Sequence, residues 1–118
     1  MEKKEFYYTS SNNINKIYAV KWIPEGEIKA ILQISHGVTE HINRYNELAK
    51  YLTDRGILVV GNDHLGHGNT NGQRMYFGPS GSWNYIVKDM EKCKKNSKRD
   101  LTNGQKNGIV VLWKIFIL

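Results

Sequence analysis

The stretch ILQISHGVTEHINRYNELAKYLTDRGILVVGNDHLGHGNT, residues 31–70, decides the predicted fold of this 118-residue chain. It begins within a nearly unbroken apolar run, KAILQIS (29–35), and contains a second one, ILVVGND (57–63). Such runs are typical of strands that are buried on both faces of a sheet. The segment between them predicts a helix that is capped by Asn43 and ended at Gly56. Its apolar stripe has the helical spacing i, i+3, i+4, i+7 and consists of Tyr45, Leu48, Ala49 and Leu52.

The segments on either side extend this pattern. EFYYTS (5–10) and KIYAVKWIP (16–24) predict two strands that form a hairpin at a sheet edge. A second amphipathic helix is predicted from Trp83 to about Arg99, and IVVLWKIFIL (109–118) predicts a third strand of the buried kind. The apolar stripe of the second helix is Trp83, Ile86, Val87 and Met90. Buried strands that alternate with amphipathic helices predict the α/β class, with three parallel strands and two crossover helices.

Composition is ordinary for a globular chain, with 40% hydrophobic residues and a formal charge of +6. Most of the positive excess lies between Lys88 and Lys106, where seven Lys or Arg face three Asp or Glu. No aromatic residue lies within that run to stack on bases, so it indicates a solvated helix face. Nucleic acid is therefore not an expected partner.

A single cysteine, Cys93, excludes an internal disulfide and a multi-thiolate metal site, which favours a reducing, cytoplasmic location. No apolar segment follows the charged start MEKKEFYYTS, so no signal peptide is expected. The last ten residues are about half of the ~20 that a spanning helix needs. A tail anchor, a buried strand and an interrupted gene would each produce this ending, and its Ile, Val, Trp and Phe favour a strand.

All four histidines lie in two loops, SHGVTEH and DHLGHGNTNG, that follow the first two buried strands. Three roles are open for them. Zinc is one, although HGVTEH fits neither H-E-x-x-H nor H-x-x-E-H. Loop-fixing side chains are the second, favoured for His41, His64 and His67. The third is an oxyanion hole, because a His-Gly turn after such a strand can present a backbone N–H to a developing negative oxygen.

The region from about Phe6 to about Met90 resembles the monoacylglycerol lipase and lysophospholipase group of α/β-hydrolases, also described as the serine aminopeptidase S33 type. The matching elements are HGVTEH with Arg44 and Tyr45, then Gly56, then DHLGHG. SWNYIVKDM (82–90) is similar to the group's segment that precedes the nucleophile strand. HG-x-x-EH together with DH-x-GHG is far more specific than either motif alone.

The resemblance implies that the backbone N–H of Val38 is one oxyanion donor and that Gly37 permits its turn. It implies no cofactor and no metal. It also implies that neither loop carries a member of the catalytic triad, and Thr70 stands where the group usually has Ser. The residues that would shape the two loops are His36, Glu40, His41, Asp63, His64, Gly66, His67 and Gly68.

The chain departs from the group after Met90. The group's third parallel strand runs into G-x-S-x-G, but here IVVLW continues as KIFIL. GPSGS (78–82) nearly matches that motif around Ser80, but it lacks the last glycine and a strand leading into it. Residues 1–118 are therefore expected to form a partial α/β-hydrolase domain, with 91–118 divergent, truncated or frame-shifted.

Such an amino-terminal piece of a serine carboxylic-ester hydrolase is expected to be inactive alone, and its substrate in the complete enzyme would be an acyl-ester lipid. A short interaction protein that uses an exposed strand at 109–117 is the alternative. Self-association through that strand is possible in either case.

Overall fold

The described residues fold around one five-stranded sheet. The computed structural model describes residues 1–36, 41–65, 68–70, 83–101 and 110–116, and at 83, 100 and 110–116 it describes the backbone alone. The strands are β1 (Glu2–Thr9), β2 (Lys16–Ile23), β3 (Ala30–Ser35), β4 (Ile57–Asn62) and β5 (Val110–Phe116). The helices are α1 (Asn46–Thr53) and α2 (Trp83–Ser97), with short 3₁₀ helices at Ile42–Tyr45 and Lys98–Asp100.

The strand order in the sheet is β1-β2-β4-β3-β5. β1 and β2 form an antiparallel hairpin, and β2 is antiparallel to β4. β3 is parallel to both β4 and β5, which confirms the predicted α/β architecture with an edge hairpin and three parallel strands. The chain runs from β3 to β4 on one side and returns to β5 on the other. Sites in open α/β sheets gather where the strand order reverses in this way, at the carboxyl ends of the strands.

The sheet carries a core on each face, and β2 shows why. Its residues Tyr18, Val20 and Trp22 lie in a cluster with Ala49 of α1, whereas Ala19 lies in a second cluster with Cys93 of α2. Alternate residues of a strand point to opposite faces. The two helices therefore cover opposite faces, and the continuous apolar runs of the sequence reflect burial on both.

The first helix has the predicted apolar stripe, but the predicted capping residue was wrong. The sequence predicted Asn43 as the capping residue, but Asn43 lies inside the 3₁₀ helix that precedes α1, and its side chain donates to the Tyr18 hydroxyl at 3.0 Å. The helical segment is capped from outside instead, because Asp63 Oδ1 accepts the Ile42 N–H at 2.7 Å. α1 ends at Thr53, three residues before the predicted end at Gly56, and Gly56, at φ +81°, lies in the turn that follows, where its N–H donates to the Thr53 carbonyl at 3.0 Å.

The second helix is present, but its buried stripe differs from the predicted one. Ile86 and Met90 are buried, whereas Val87 is 48% exposed. The inward positions continue instead through Asp89 and Cys93, which are buried. The prediction for Val87 was wrong because it counted apolar residues alone, and Asp89 occupies the position that packs on the sheet.

The terminal strands differ slightly from their predicted bounds. β1 begins at Glu2, three residues before the predicted Glu5. The last strand was predicted to be buried on both faces, and β5 lies at the edge of the sheet. The side chains of β5 are not among the described parts of the structure. Its backbone pairs with β3 as far as Phe116, with a shift of register between Gln33 and Ser35. Within the described ranges, no helix is long and apolar enough to cross a membrane.

Candidate functional site

The two predicted loops start side by side at the carboxyl edge of the sheet. Ile34 of β3 pairs with Gly61 of β4, so the residues that follow each strand are neighbours. Gly61 permits a close approach there, because a Cβ at this position would lie 2.8 Å from the Ile34 carbonyl oxygen and would clash with the Ile42 side chain. A glycine in β4 therefore allows the segment after the first loop to pack directly against the strand.

Asp63 joins the two loops through its carboxylate. Oδ1 accepts the Ile42 N–H at 2.7 Å, where the chain leaves the first loop, and Oδ2 accepts the Asn69 N–H at 2.8 Å in the second loop. The side chain is 1% exposed. A buried carboxylate that accepts backbone N–H groups makes charge-assisted bonds, which are about twice as strong as neutral ones. The Asp63 carboxylate thus links the two loops to each other.

The second loop is further clamped to the hairpin. The Thr70 hydroxyl accepts the Tyr18 N–H at 3.0 Å and donates to the Asp63 carbonyl at 2.6 Å. The Asp63 N–H donates to the Tyr18 carbonyl at 2.8 Å and completes the clamp. The hydroxyl that Thr70 shares with Ser is therefore used both as donor and as acceptor.

Gly68 lies against Asp63 in a conformation that suits glycine. Its φ is +48°, and a Cβ would clash with the Asp63 carboxylate. The structure therefore places Asp63 and Gly68 in direct contact.

His36 and His64 stack at the base of the loops. Their ring centroids lie 4.1 Å apart, and the planes are tilted by 44°. His36 Nε2 accepts the backbone N–H of His64 at 2.9 Å, and His64 Nε2 lies 3.1 Å from the Ser35 hydroxyl. Both histidines and Ser35 are buried. The ring of His36 thus binds backbone, a role the sequence had favoured for His41, His64 and His67, while His64 binds a side-chain hydroxyl.

The contact between Ser35 and His64 has the distance of a nucleophile and its base. Ser35 is only 1% exposed and lies at the end of β3, so a substrate carbonyl has no access to its hydroxyl. The pair joins the ends of β3 and β4, and it is not a hydrolytic dyad.

The remaining predicted residues divide into two sets. His41 is exposed at the start of the 3₁₀ helix, where its carbonyl accepts the Arg44 N–H at 3.2 Å. The others lie outside the described residues: Gly37, Val38, Glu40, Gly66, His67 and the decoy Ser80. Among the described residues, no three His, Cys, Asp or Glu are placed to hold a metal ion.

Several residues that support the site gave no signal in the sequence. Ser35 and Asn62 stand at the ends of apolar runs, and the amide of Asn62 is buried without a hydrogen-bond partner among the described residues. Nothing in the sequence pattern distinguishes Tyr18 from the other residues of its strand. In the structure, burial and then the hydrogen bond to Glu5 raise the pKa of Tyr18 to about 12.

Comparison with known proteins gives the family. Residues 26–111 match the family described as serine aminopeptidase, S33. A monoglyceride lipase homolog of Monkeypox virus is 45% identical over 67 residues, which make up 57% of this chain and 24% of that protein. The monoglyceride lipase of Homo sapiens is 48% identical over 54 residues, which make up 46% of this chain and 18% of that enzyme.

A solved structure extends the likeness to nearly the whole chain. A thermostable carboxyl esterase from Bacillus coagulans superposes with a TM-score of 0.82 at 24% identity, which shows the same fold. The superposition covers 96% of this chain and 36% of the esterase. The chain therefore spans about a third of that protein and a quarter or less of the two relatives. Because the family match covers well over half of its residues, the chain belongs to the serine aminopeptidase S33 family of α/β-hydrolases.

Proposed function

We propose that residues 1–118 form the amino-terminal part of a serine carboxylic-ester hydrolase and supply half of its oxyanion hole. The main observation in support of this proposal is the position of the Asp63 carboxylate. It ties the segment after residues 37–40 to the loop after β4, at the edge of the sheet where such enzymes bind substrate. The names of the relatives, monoglyceride lipases, support an acyl-glycerol ester as the substrate of the complete enzyme.

The role of this part in the reaction is to stabilise negative charge. When a serine attacks an acyl ester, the carbonyl oxygen becomes an oxyanion, and the N–H of Val38 would donate to it from a turn that Gly37 permits. A backbone donor needs a fixed turn, and the hydrogen bonds of Asp63 and His36 hold the two ends of that segment.

The nucleophile and the base are not supplied by these residues. No position of residues 1–118 matches the G-x-S-x-G serine, the triad acid or the triad histidine. Loss of nucleophile and base removes on the order of a million-fold in rate. Purified residues 1–118 should therefore remain unlabelled by a fluorophosphonate probe, with an active monoglyceride lipase labelled in parallel. Stoichiometric labelling that is lost in Ser80→Ala or Ser35→Ala would overturn this expectation.

A chimera tests the positive half of the proposal. Residues 31–70 would replace the matching segment of the human monoglyceride lipase, whose own triad then acts on a monoacylglycerol. Val38→Ala keeps the backbone N–H and should keep activity. Val38→Pro removes that N–H and should lower kcat by about 10²–10³-fold, as loss of one oxyanion donor does. Equal kcat values for the two variants would reject Val38 as the donor.

A second candidate is a binding protein that uses its last strand. β5 lies at the edge of the sheet, next to β3, and an unpaired edge strand recruits other chains. The opposite edge, β1, is charged at Glu2, Lys3, Lys4 and Glu5, a pattern that discourages pairing. Light scattering on purified residues 1–118 separates the two candidates. A monodisperse monomer favours the binding protein, and concentration-dependent aggregation favours the hydrolase part.

A further inference from the structure

We propose that at least one buried water molecule is bound between β3, β4 and α2, where it joins the side chains of Asn62 and Gln33. The bound water adds a polar link from α2 to the end of β4, directly before Asp63. The proposal does not rest on the proposed function, because neither amide belongs to the predicted oxyanion hole.

Three buried polar atoms of these two side chains have no hydrogen-bond partner among the described residues. They are Asn62 Oδ1, Asn62 Nδ2 and Gln33 Oε1. Both side chains are only 1% exposed, so bulk solvent does not reach them. The large majority of buried polar side-chain atoms in native proteins have a partner, either in the protein or in an ordered water. Three such atoms on two side chains therefore point to a ligand that binds them.

The two side chains lie on the same face of the sheet, the one that α2 covers. Gln33 Nε2 donates to the Met90 carbonyl of α2 at 2.8 Å. In β4, Val60 lies in the cluster that contains Cys93 of α2, and Asn62 continues the alternation of that strand. Gln33 pairs with Val60, so Asn62 is its diagonal neighbour, with the Cα atoms about 8 Å apart by strand geometry. The side chains shorten this separation, so that one water can bridge the two amides.

The neighbours of Asn62 in the sheet leave room for a water molecule. Ala19 of β2 pairs directly with Asn62. On the other side, Ile34 pairs with Gly61, so that Ser35 lies beside Asn62. Ala19 and Ser35 are both small, and the space around the Asn62 amide is therefore not filled from the adjoining strands. A buried water needs room and roughly two to four polar partners, which the unpaired amide atoms supply.

The donors and acceptors of the site select water rather than a simple ion. The bond to the Met90 carbonyl requires that the Gln33 amide presents its NH₂ group to α2, which leaves Oε1, an acceptor, for the ligand. The ligand must donate to that oxygen and also accept from Asn62 Nδ2. A metal cation accepts no hydrogen bond and a halide donates none, whereas water does both. A second water can bind Asn62 Oδ1, because the two polar atoms of an amide point in different directions.

Oxygen-17 relaxation dispersion on purified residues 1–118 tests the proposal, because it counts the water molecules that stay bound for longer than the protein tumbles. The wild type should hold at least one such water. Asn62→Leu should hold at least one fewer, since leucine resembles asparagine in shape and has no polar side-chain atom. Asn84→Leu makes the same change at an exposed position of α2 and should leave the count unchanged. Equal counts in the wild type and Asn62→Leu would overturn the proposal.

Urea unfolding gives a second readout. With water bound, Asn62→Leu displaces it and leaves Gln33 Oε1 without a partner, so the urea midpoint should fall. Gln33→Met removes the other ligand of the same water. The loss in the double variant should therefore be smaller than the sum of the two single losses. A higher midpoint in Asn62→Leu, the result expected of dry unpaired atoms, would contradict the proposal, as would additive losses.

A crystal structure of the wild type decides the question if neither variant folds. Density for a water within about 3 Å of Asn62 Nδ2 and Gln33 Oε1 supports the proposal. A direct hydrogen bond between the two amides, or a dry space between them, rejects it. None of these readouts depends on hydrolysis. Failure of the Val38 chimera therefore counts against the proposed function alone, and failure of the hydration experiments counts against the water site alone.

Discussion

At the scale of single residues, the site depends on how closely Gly68 approaches Asp63. Two features restrict position 68: φ is +48°, and a Cβ would clash with the carboxylate. Gly26 provides the comparison, because its φ is +80° but no atom lies within 4 Å of its Cβ position. The two glycines share a positive φ, which would strain a residue that has a Cβ, and they differ in the contact.

The substitution pair Gly68→Ala and Gly26→Ala should separate these effects. Gly26→Ala introduces a positive-φ alanine and should lower the free energy of unfolding by about 1–2 kcal/mol. Gly68→Ala should cost about 1–3 kcal/mol more, because it also displaces a buried carboxylate from its hydrogen bonds. Urea unfolding of both variants measures the difference. An equal loss in the two would mean that the Asp63 contact contributes nothing.

Single residues are also where sequence reasoning was least complete. Asp63 and Gly68 could be predicted as loop-shaping because they lie in the DHLGHG motif. Ser35 and Asn62 could not, since each is a polar residue at the end of an apolar run, and the partner of Ser35, His64, comes from a distant part of the chain. A hydrogen bond such as that between Ser35 and His64 joins positions 29 residues apart, and local patterns carry no trace of it.

At the scale of elements, α2 is attached to the sheet by polar contacts as well as by its apolar stripe. Asp89 Oδ2 accepts the Ser10 hydroxyl at 2.7 Å, and Oδ1 accepts the Ser11 N–H at 2.6 Å. The Tyr8 hydroxyl donates to the Asp89 carbonyl at 2.7 Å. From β3, Gln33 Nε2 donates to the Met90 carbonyl at 2.8 Å. The helix is thereby fixed to the hairpin turn and to β3.

Asp89→Asn should weaken this attachment. The amide keeps one acceptor but sets an NH₂ group where a carboxylate oxygen accepted a hydrogen bond. The free energy of unfolding should fall by about 1.5–3 kcal/mol, the value of hydrogen bonds to a charged group. Asp54→Asn, at the exposed end of α1, should stay within about 0.5 kcal/mol of the wild type. Equal losses at the two positions would show that the buried contacts of Asp89 are not stabilising.

The elements themselves were predicted well where periodicity was strong. The three parallel strands, the hairpin and both helices were expected from their apolar spacing. The cap of the first helix was not, because Asp63 supplies it from beyond β4, 21 residues from Ile42. Val87 shows the converse error, in which an apolar residue in a helical series turned out to face solvent.

At the scale of the whole molecule, the hairpin and α2 enclose two acids that are held protonated. Burial raises the pKa of the Cys93 thiol from 9.0 to about 12. Burial, and then the proximity of Cys93 and Asp89, raises the pKa of Tyr8 well above its usual value of 10.0. Both groups keep their protons in the folded chain at a pH at which the unfolded chain has lost them.

The molecule should therefore lose stability in alkali. Below pH 9 the folded and unfolded states bind the same number of protons at these two groups, so their contribution is fully present. From pH 9 toward 12 the unfolded state loses protons that the folded state keeps, and the free energy of unfolding falls. Urea midpoints at pH 7.5 and 10.5 measure the loss. The double variant Cys93→Ala, Tyr8→Phe should show a smaller loss, and an unchanged one would contradict the assignment.

The clamp between Tyr18 and Thr70 bears on where this molecule can be divided. The match to the serine aminopeptidase S33 family begins at residue 26, after the hairpin has ended. Yet the main chain of Tyr18 binds both Asp63 and Thr70, so the second loop is supported by a strand that lies before the residues of that match. A piece of chain cut at residue 26 would keep every motif residue of the two loops and remove the strand that supports them. The residues that match the family therefore do not coincide with the residues that the two loops need for their support.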